Sequence, residues 1–229
     1  MTVTTDLSDS PAVAQLLGSE HRGALVVIDV QRSFADPQFL TAFGLDDAQG
    51  SAVADAITRT EELVAEARAL NIPVVWVELG SDPDVPWRAS NWIAGQAFDA
   101  PVGADYPCVV GTPGAEWFQV SPRAGEPVVV KPRYSGFQGT DLETVLRDLG
   151  VTWLVMAGLT TECCVATTAF DACQRDFPVI VSSDATAAYE SDVHEAALKQ
   201  LSYNAAVIAT SADIAQLWRS AATEWKVAS

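Results

Sequence analysis

Six short apolar runs recur along the chain, at Ala24–Ile28, Val74–Val77, Val128–Val130, Trp153–Met156, Pro178–Val181 and Ala206–Ile208. They lack the polar alternation of a half-solvated strand. That predicts strands buried on both faces, as in a parallel sheet. Between the runs the period changes. Val53, Ile57, Val64 and Ala67, with Leu63 and Leu70 alongside, fall at helical spacing over 51–70, and Asn71-Ile72-Pro73 ends that run. Thr140-Asp141-Leu142-Glu143 has the form of a capping box. Leu142, Val145, Leu146 and Leu149 then mark a helix face, and Gly150 suits the C′ position beyond it. Val165, Thr168, Ala169 and Ala172 mark another helix after a turn at 158–161. Helices over about 191–201 and from a Ser211 cap onward, the last with Leu217 and Trp218, complete the series.

Strands alternating with helices predict a three-layer, Rossmann-like α/β fold. Its core is a mostly parallel six-stranded sheet with helices on both faces. Residues 1–22 read as a loose leader with one short helix near 11–17, and 23–229 as a single domain. The stretch 80–125 is rich in Pro, Gly, Asp and Trp and has no period. It is expected to be a lid-like insertion over the mouth of the sheet.

Composition narrows the function classes. Hydrophobic residues make up 49% of 229, enough for a substantial core. The net charge of −17 repels phosphate backbones and anionic lipid, so nucleic acid and membrane are not expected partners. No apolar run reaches membrane-spanning length, and the first ten residues lack a secretory pattern. A cytoplasmic location is expected. Cys108, Cys163, Cys164 and Cys173 offer no zinc framework, and adjacent Cys163 and Cys164 do not bridge without strain. Reduced thiols are expected.

Three residues stand where strands end. Cys164 follows a buried strand and a glycine-containing turn, near a helix start that would lower its pKa and offer backbone N–H groups to an oxyanion. A buried thiol packing as a small hydrophobe fits the position equally well. Asp29 comes directly after five apolar residues, where a carboxylate needs a partner. It reads as a base or as an ordinary turn aspartate. Lys131 closes the third run and reads as its counter-charge or as a snorkelling surface lysine. In such folds ligands bind beyond the carboxyl ends of the strands, where all three could meet.

Longer patterns surround these residues. Ala24 to Phe34, with Asp29, Gln31 and Phe34 in a D-x-Q-x-x-F arrangement, resembles the opening strand of isochorismatase-like hydrolases. Gly111 to Glu116 resembles their G-T-x-G-A segment, and Val130 to Phe137 their K-x-R-Y-S-x-F segment. Gly158 to Val165 resembles their G-x-x-T-x-x-C-V element; Thr168, Asp171-Ala172 and Asp184-Ala185 continue the likeness, which runs from about 24 to 208.

The resemblance implies a catalytic triad of Asp29, Lys131 and Cys164 and no organic cofactor. It implies a cis peptide at Leu159–Thr160, with the N–H groups of Thr160 and Cys164 forming an oxyanion hole. The implied activity is cysteine-dependent cleavage of an amide-type C–N bond in a small amide or ureide, through a thioester. Two alternatives stand beside it: a vinyl ether hydrolase of the isochorismatase type, and a non-catalytic binding or assembly subunit on the same fold. The T-x-x-C-V register selects Cys164 over Cys163, which would pack beside the site.

Nicotinamidases of this family bind a divalent metal through an Asp and several His after the second strand. Here the two histidines, His21 and His194, lie outside 79–131, and Asp82, Asp84, Asp99 and Asp105 read as solvated loop acids. No metal site is expected. Phe34, Trp87, Asn91, Trp92 and Tyr134 are the candidate substrate-binding residues, with Phe34 placed by the family pattern. The two tryptophans suit a lid or an oligomer interface equally well. The resemblance also implies a homo-oligomer, a dimer or tetramer.

Overall fold

The computed structural model describes residues 4, 7, 10–18, 21–41, 44–103 and 105–227, and their side chains except those of residue 47 and of 222–227. Among these residues six strands form one sheet: β1 (Gly23–Ile28), β2 (Val74–Leu79), β3 (Val128–Lys131), β4 (Trp153–Leu159), β5 (Val179–Ala187) and β6 (Val207–Ala209). Their spatial order is β3-β2-β1-β4-β5-β6, and every pairing is parallel. The expected fold class is the one observed.

The chain builds outward from β1 in one direction through β2 and β3, then returns to add β4, β5 and β6 on the other side. The order therefore reverses between β1 and β4, which pair from Gly23↔Trp153 to Ile28↔Gly158. Two connections leave the sheet on opposite sides at such a point and open a crevice beyond the strand ends.

Both faces of the sheet are covered. One carries Leu25, Val27, Trp76, Trp153 and Val155 against α4 (Asp47–Ala69) and α9 (Ser211–Val227). The other carries Val26, Ile28, Val77, Leu154 and Met156 against α6 (Leu142–Asp148), α7 (Ala166–Cys173) and α8 (Ser191–Asn204). Of the leader segment, Leu7, Val13 and Leu16 are buried in the first of these layers, and a short helix, α1, spans Pro11–Ala14. The short helices α2 (Arg32–Ala35), α3 (Pro37–Leu40) and α5 (Arg88–Ile93) lie in the connections after β1 and β2.

Three local expectations are corrected. The run at 128–130 is not buried on both faces: β3 is an edge strand, and Val128 and Val130 are 42% and 54% exposed while Val129 and Lys131 are buried. The capping box at Thr140 does not form. Asp141 is the N-cap of α6 and makes no side-chain cap bond, while the Thr140 hydroxyl donates to the Gly136 carbonyl. The last helix is capped by Thr210, whose hydroxyl accepts from the Asp213 N–H and donates to the Asp213 carboxylate, and not by Ser211. The end of α6 follows expectation. Gly150, at φ +69°, donates to Arg147 and Val151 to Leu146, the two bonds of a Schellman motif.

Candidate active site

Asp29 leaves β1 in the left-handed region, at φ +51°, with its N–H donating to the Val77 carbonyl at 2.8 Å. That conformation turns the chain out of the sheet at the strand end. Beside it, Gly158 sits at φ +112°, and a Cβ there would strike the backbone of Ile28. Glycine is what lets β4 run this close to β1.

Lys131 comes from β3, two strand spacings or about 10 Å from β1. Its side chain is fully buried. Nζ lies 2.7 Å from Asp29 Oδ2, 3.3 Å from Cys164 Sγ and 3.1 Å from the Arg133 carbonyl. Three partners match the three hydrogens of an ammonium. Both oxygens of the Asp29 carboxylate are buried, and Oδ2 is the one paired with Lys131. The structure thus brings Asp29, Lys131 and Cys164 together from three strand ends.

The charges can be followed one by one. Burial raises the pKa of Asp29; the Lys131 charge and then the Cys164 thiol oppose it without cancelling it. Burial pulls the Lys131 ammonium down, but Asp29 and Cys164 outweigh it and the net shift is upward. The Cys164 thiol is pushed well above its ordinary range by its hydrogen bond to Cys163, by burial and by Asp29, against Lys131. This corrects the expectation of a thiolate stabilised by a helix start. The bond to Cys163, the burial of the sulfur and the Asp29 charge together outweigh the helix end.

The turn that carries Cys164 is a π turn over Thr161–Val165, and the Leu159–Thr160 bond before it is cis. In an α-helix the Thr160 carbonyl would accept from Cys164, four residues on. Here it accepts instead from Cys163 at 3.2 Å and from Val165 at 3.1 Å. The wider turn moves the Cys164 N–H off its ordinary acceptor.

Neighbouring segments are tied to this turn. Thr168 on α7 donates to the Cys164 carbonyl at 2.6 Å and accepts from the Gly136 N–H at 2.9 Å. Ser135 donates to Asp171 at 2.5 Å. These bonds join the 130–137 segment to α7 and to the turn that carries Cys164. Gln31 has a role that sequence reasoning left out although its pattern contained it. It is fully buried, and its amide bonds both the N–H and the carbonyl of Leu79 and the carbonyl of Ala115. It locks the exit of β1 to β2 and to the 111–116 segment. A buried amide two residues beyond a strand end was the available signal.

The five candidate substrate residues are distributed differently. Trp87 and Tyr134 touch, with ring centroids 4.5 Å apart, and the Arg133 guanidinium lies 4.9 Å over Trp87. Burial, with a smaller effect from Cys163, raises the Tyr134 pKa. Phe34 is half-buried against the core beside Asp29's connection, and its carbonyl accepts from Tyr189. Asn91 uses both amide hydrogens on the carbonyls of Phe98 and Ala100, closing its own loop. Trp92 faces solvent, 67% exposed. Trp87 and Tyr134 thus pack on each other, Asn91 is engaged within its own loop, and Trp92 is turned to solvent. Among the described residues no group of three or more His, Cys, Asp or Glu is disposed to hold a metal ion.

Comparison with known proteins accords with this geometry. The isochorismatase domain model matches residues 23–213. The ureidoacrylate amidohydrolase RutB of Methylobacterium radiotolerans is 35% identical over 188 residues, 77% of this chain and 72% of that one. A cysteine hydrolase from Pseudomonas syringae pv. phaseolicola superposes with a TM-score of 0.74 at 25% identity, covering 89% of this chain and 95% of its own. N-carbamoylsarcosine amidase from Thermoplasma acidophilum superposes with a TM-score of 0.64 at 27% identity, covering 83% and 96%. With its strand order, its reversal point and these matches, the chain belongs to the isochorismatase family of hydrolases.

Proposed function

We propose that Asp29, Lys131 and Cys164 are the catalytic group of a hydrolase acting on small ureides and related amides, ureido acids first among them. The enzyme class is that of C–N hydrolases acting on bonds other than peptide bonds, as the amidohydrolase relatives indicate. The observation that carries the reading is the position of Lys131 Nζ in contact with both the carboxylate and the sulfur.

Asp29 takes the thiol proton of Cys164 as the sulfur attacks the substrate carbonyl carbon. Lys131 stays charged and offsets the thiolate. The oxyanion accepts from the N–H groups of Thr160 and Cys164. As the C–N bond breaks, the leaving nitrogen takes the proton from Asp29. Water, deprotonated by Asp29, then attacks the thioester; the acid product leaves and the thiol is restored. Asp29, whose pKa burial raises, suits both proton transfers. The Trp87–Tyr134 wall offers flat apolar surface to a planar ureide.

The four cysteines are free thiols, which supports a reducing, cytoplasmic location. No helix among the described residues is long and apolar enough to cross a membrane. Trp92 and Ile93, at the end of the helix Arg88–Ile93, and Phe98 beyond it expose apolar surface, and we read it as the self-association surface of a homo-oligomer.

Ammonia release over a panel of small ureides and amides, with Cys164→Ala as the blank, tests the assignment. Turnover is expected with the wild type and none with the blank. Equal turnover by Cys164→Ala, or pyruvate release from a vinyl ether with no ammonia from any amide, would remove this function.

A further inference from the structure

His194 on α8 reaches back to the nucleophile turn. Its Nδ1 is 2.8 Å from Thr161 Oγ1, and its Nε2 is 3.1 Å from the Ser183 carbonyl on β5. A carbonyl only accepts, so Nε2 carries the hydrogen. In the neutral ring Nδ1 is then an acceptor, and the Thr161 hydroxyl donates to it. Burial holds the His194 pKa below its ordinary value, which keeps the ring neutral near pH 7. The two contacts together select one tautomer and one orientation.

Thr161 is fully buried and is the first residue of the π turn, three before Cys164. The turn has no side-chain cap at Thr160, whose hydroxyl donates to Glu162 instead. On its far side Cys164 is held through Thr168 to Gly136. On its near side the side-chain anchor is the chain Thr161–His194–Ser183. Such a strut on a reactive turn matters because small displacements of a nucleophile carry large rate costs: about 1 Å can cost a hundredfold.

We propose that His194 is a positioning residue, which holds the Thr161 hydroxyl against β5 and so fixes the turn that presents Cys164. The proposal rests on the reading of Cys164 as the nucleophile. His194 need not touch the substrate, so its loss should lower kcat and leave KM nearly unchanged.

The test compares His194→Leu, His194→Asn, Thr161→Val and Thr161→Ser with the wild type. Each is assayed for kcat and KM on the ureide or amide that the wild type turns over fastest. Iodoacetamide alkylation of Cys164, located by peptide mass spectrometry, is a second readout that needs no substrate. Thermal unfolding confirms folding. His194→Leu and Thr161→Val should each lose about 10- to 100-fold in kcat with KM within about twofold. A double variant combining His194→Leu with Thr161→Val should be no worse than either single, because both remove the same contact. His194→Asn, which keeps an acceptor near the Nδ1 position, and Thr161→Ser should recover most of the loss.

Wild-type kcat in a folded Thr161→Val or His194→Leu overturns the proposal. So does an additive loss in the double variant, or a KM effect in place of a kcat effect. If His194→Leu does not fold, Thr161→Val and the two conservative variants decide the matter by the same criteria. If Cys164→Ala itself retains turnover, it is the functional assignment that fails.

Discussion

Lys131 Nζ lies 2.7 Å from Asp29 Oδ2, and both side chains are fully buried. The two residues come from strands separated by β2, so the pair spans the sheet end and exists only in the folded chain. Breaking a buried pair by removing one partner leaves the other charge without compensation, at a cost of about 3–5 kcal/mol. Replacing both partners together relieves most of that cost.

Asp29→Asn and Lys131→Met are therefore expected to lose both turnover and stability. The double variant should recover stability toward the wild type and remain inactive. Urea unfolding with ammonia assays on the same preparations separates the two effects. Additive destabilisation in the double variant would contradict a coupled pair.

The sulfurs of Cys163 and Cys164 are distinguished by their surroundings. Cys164 is buried against Lys131, whereas Cys163 is only half-buried. Cys164→Ser should abolish turnover, and Cys163→Ser should keep most of it. The opposite pattern would move the nucleophile by one residue.

In the proposed mechanism Asp29 is the base, so activity requires its carboxylate, and burial raises its pKa above the ordinary 3.8. As pH falls through that raised value the base becomes protonated and kcat/KM falls. The acid limb is expected at a higher pH than for an ordinary carboxylate. A flat profile down to pH 4 would argue against Asp29 as the base.

Gly158 occupies φ +112° with its α-carbon facing the Ile28 backbone. Gly158→Ala should cost about 3 kcal/mol or more, since strain and overlap with backbone act together. Reduced soluble yield and a lowered urea midpoint would register it. A variant as stable as the wild type would show that β1 and β4 can separate at no cost.

Trp87 packs on Tyr134 and under Arg133. Trp87→Ala should raise KM several-fold while leaving kcat within about threefold, the mark of lost uniform binding. An unchanged KM would take this wall out of the substrate site.

Much of the fold was legible because apolar runs and helical spacing are local properties. The six runs correspond to the six strands, and the helix face from Leu142 to Leu149 ends at Gly150 as its pattern implied. Boundaries were less legible. The helix expected from 51 begins at Asp47, because Asp46 and Gln49 form a capping box four residues earlier. The Thr140 box did not form because the helix starts one residue later, from Asp141, and the Thr140 hydroxyl donates to Gly136 and accepts from Leu142. At the site, Asp29, Lys131 and Cys164 were visible as oddly placed polar residues. The engagement of Asn91 within its own loop was not visible, since its acceptors at Phe98 and Ala100 belong to a segment without a period.

The sequence by itself determined the strand and helix series, the parallel sheet and the three residue types at the strand ends. These follow from side-chain polarity and spacing within short windows. Tertiary structure alone decided that β3 lies at an edge, that Lys131 reaches across β2 to Asp29, and that the Cys164 thiol is raised and not lowered. It also decided that His194 meets Thr161. The physical reason is the same in each case: burial and charge contact depend on distances between segments far apart in the chain, and no local pattern encodes those distances.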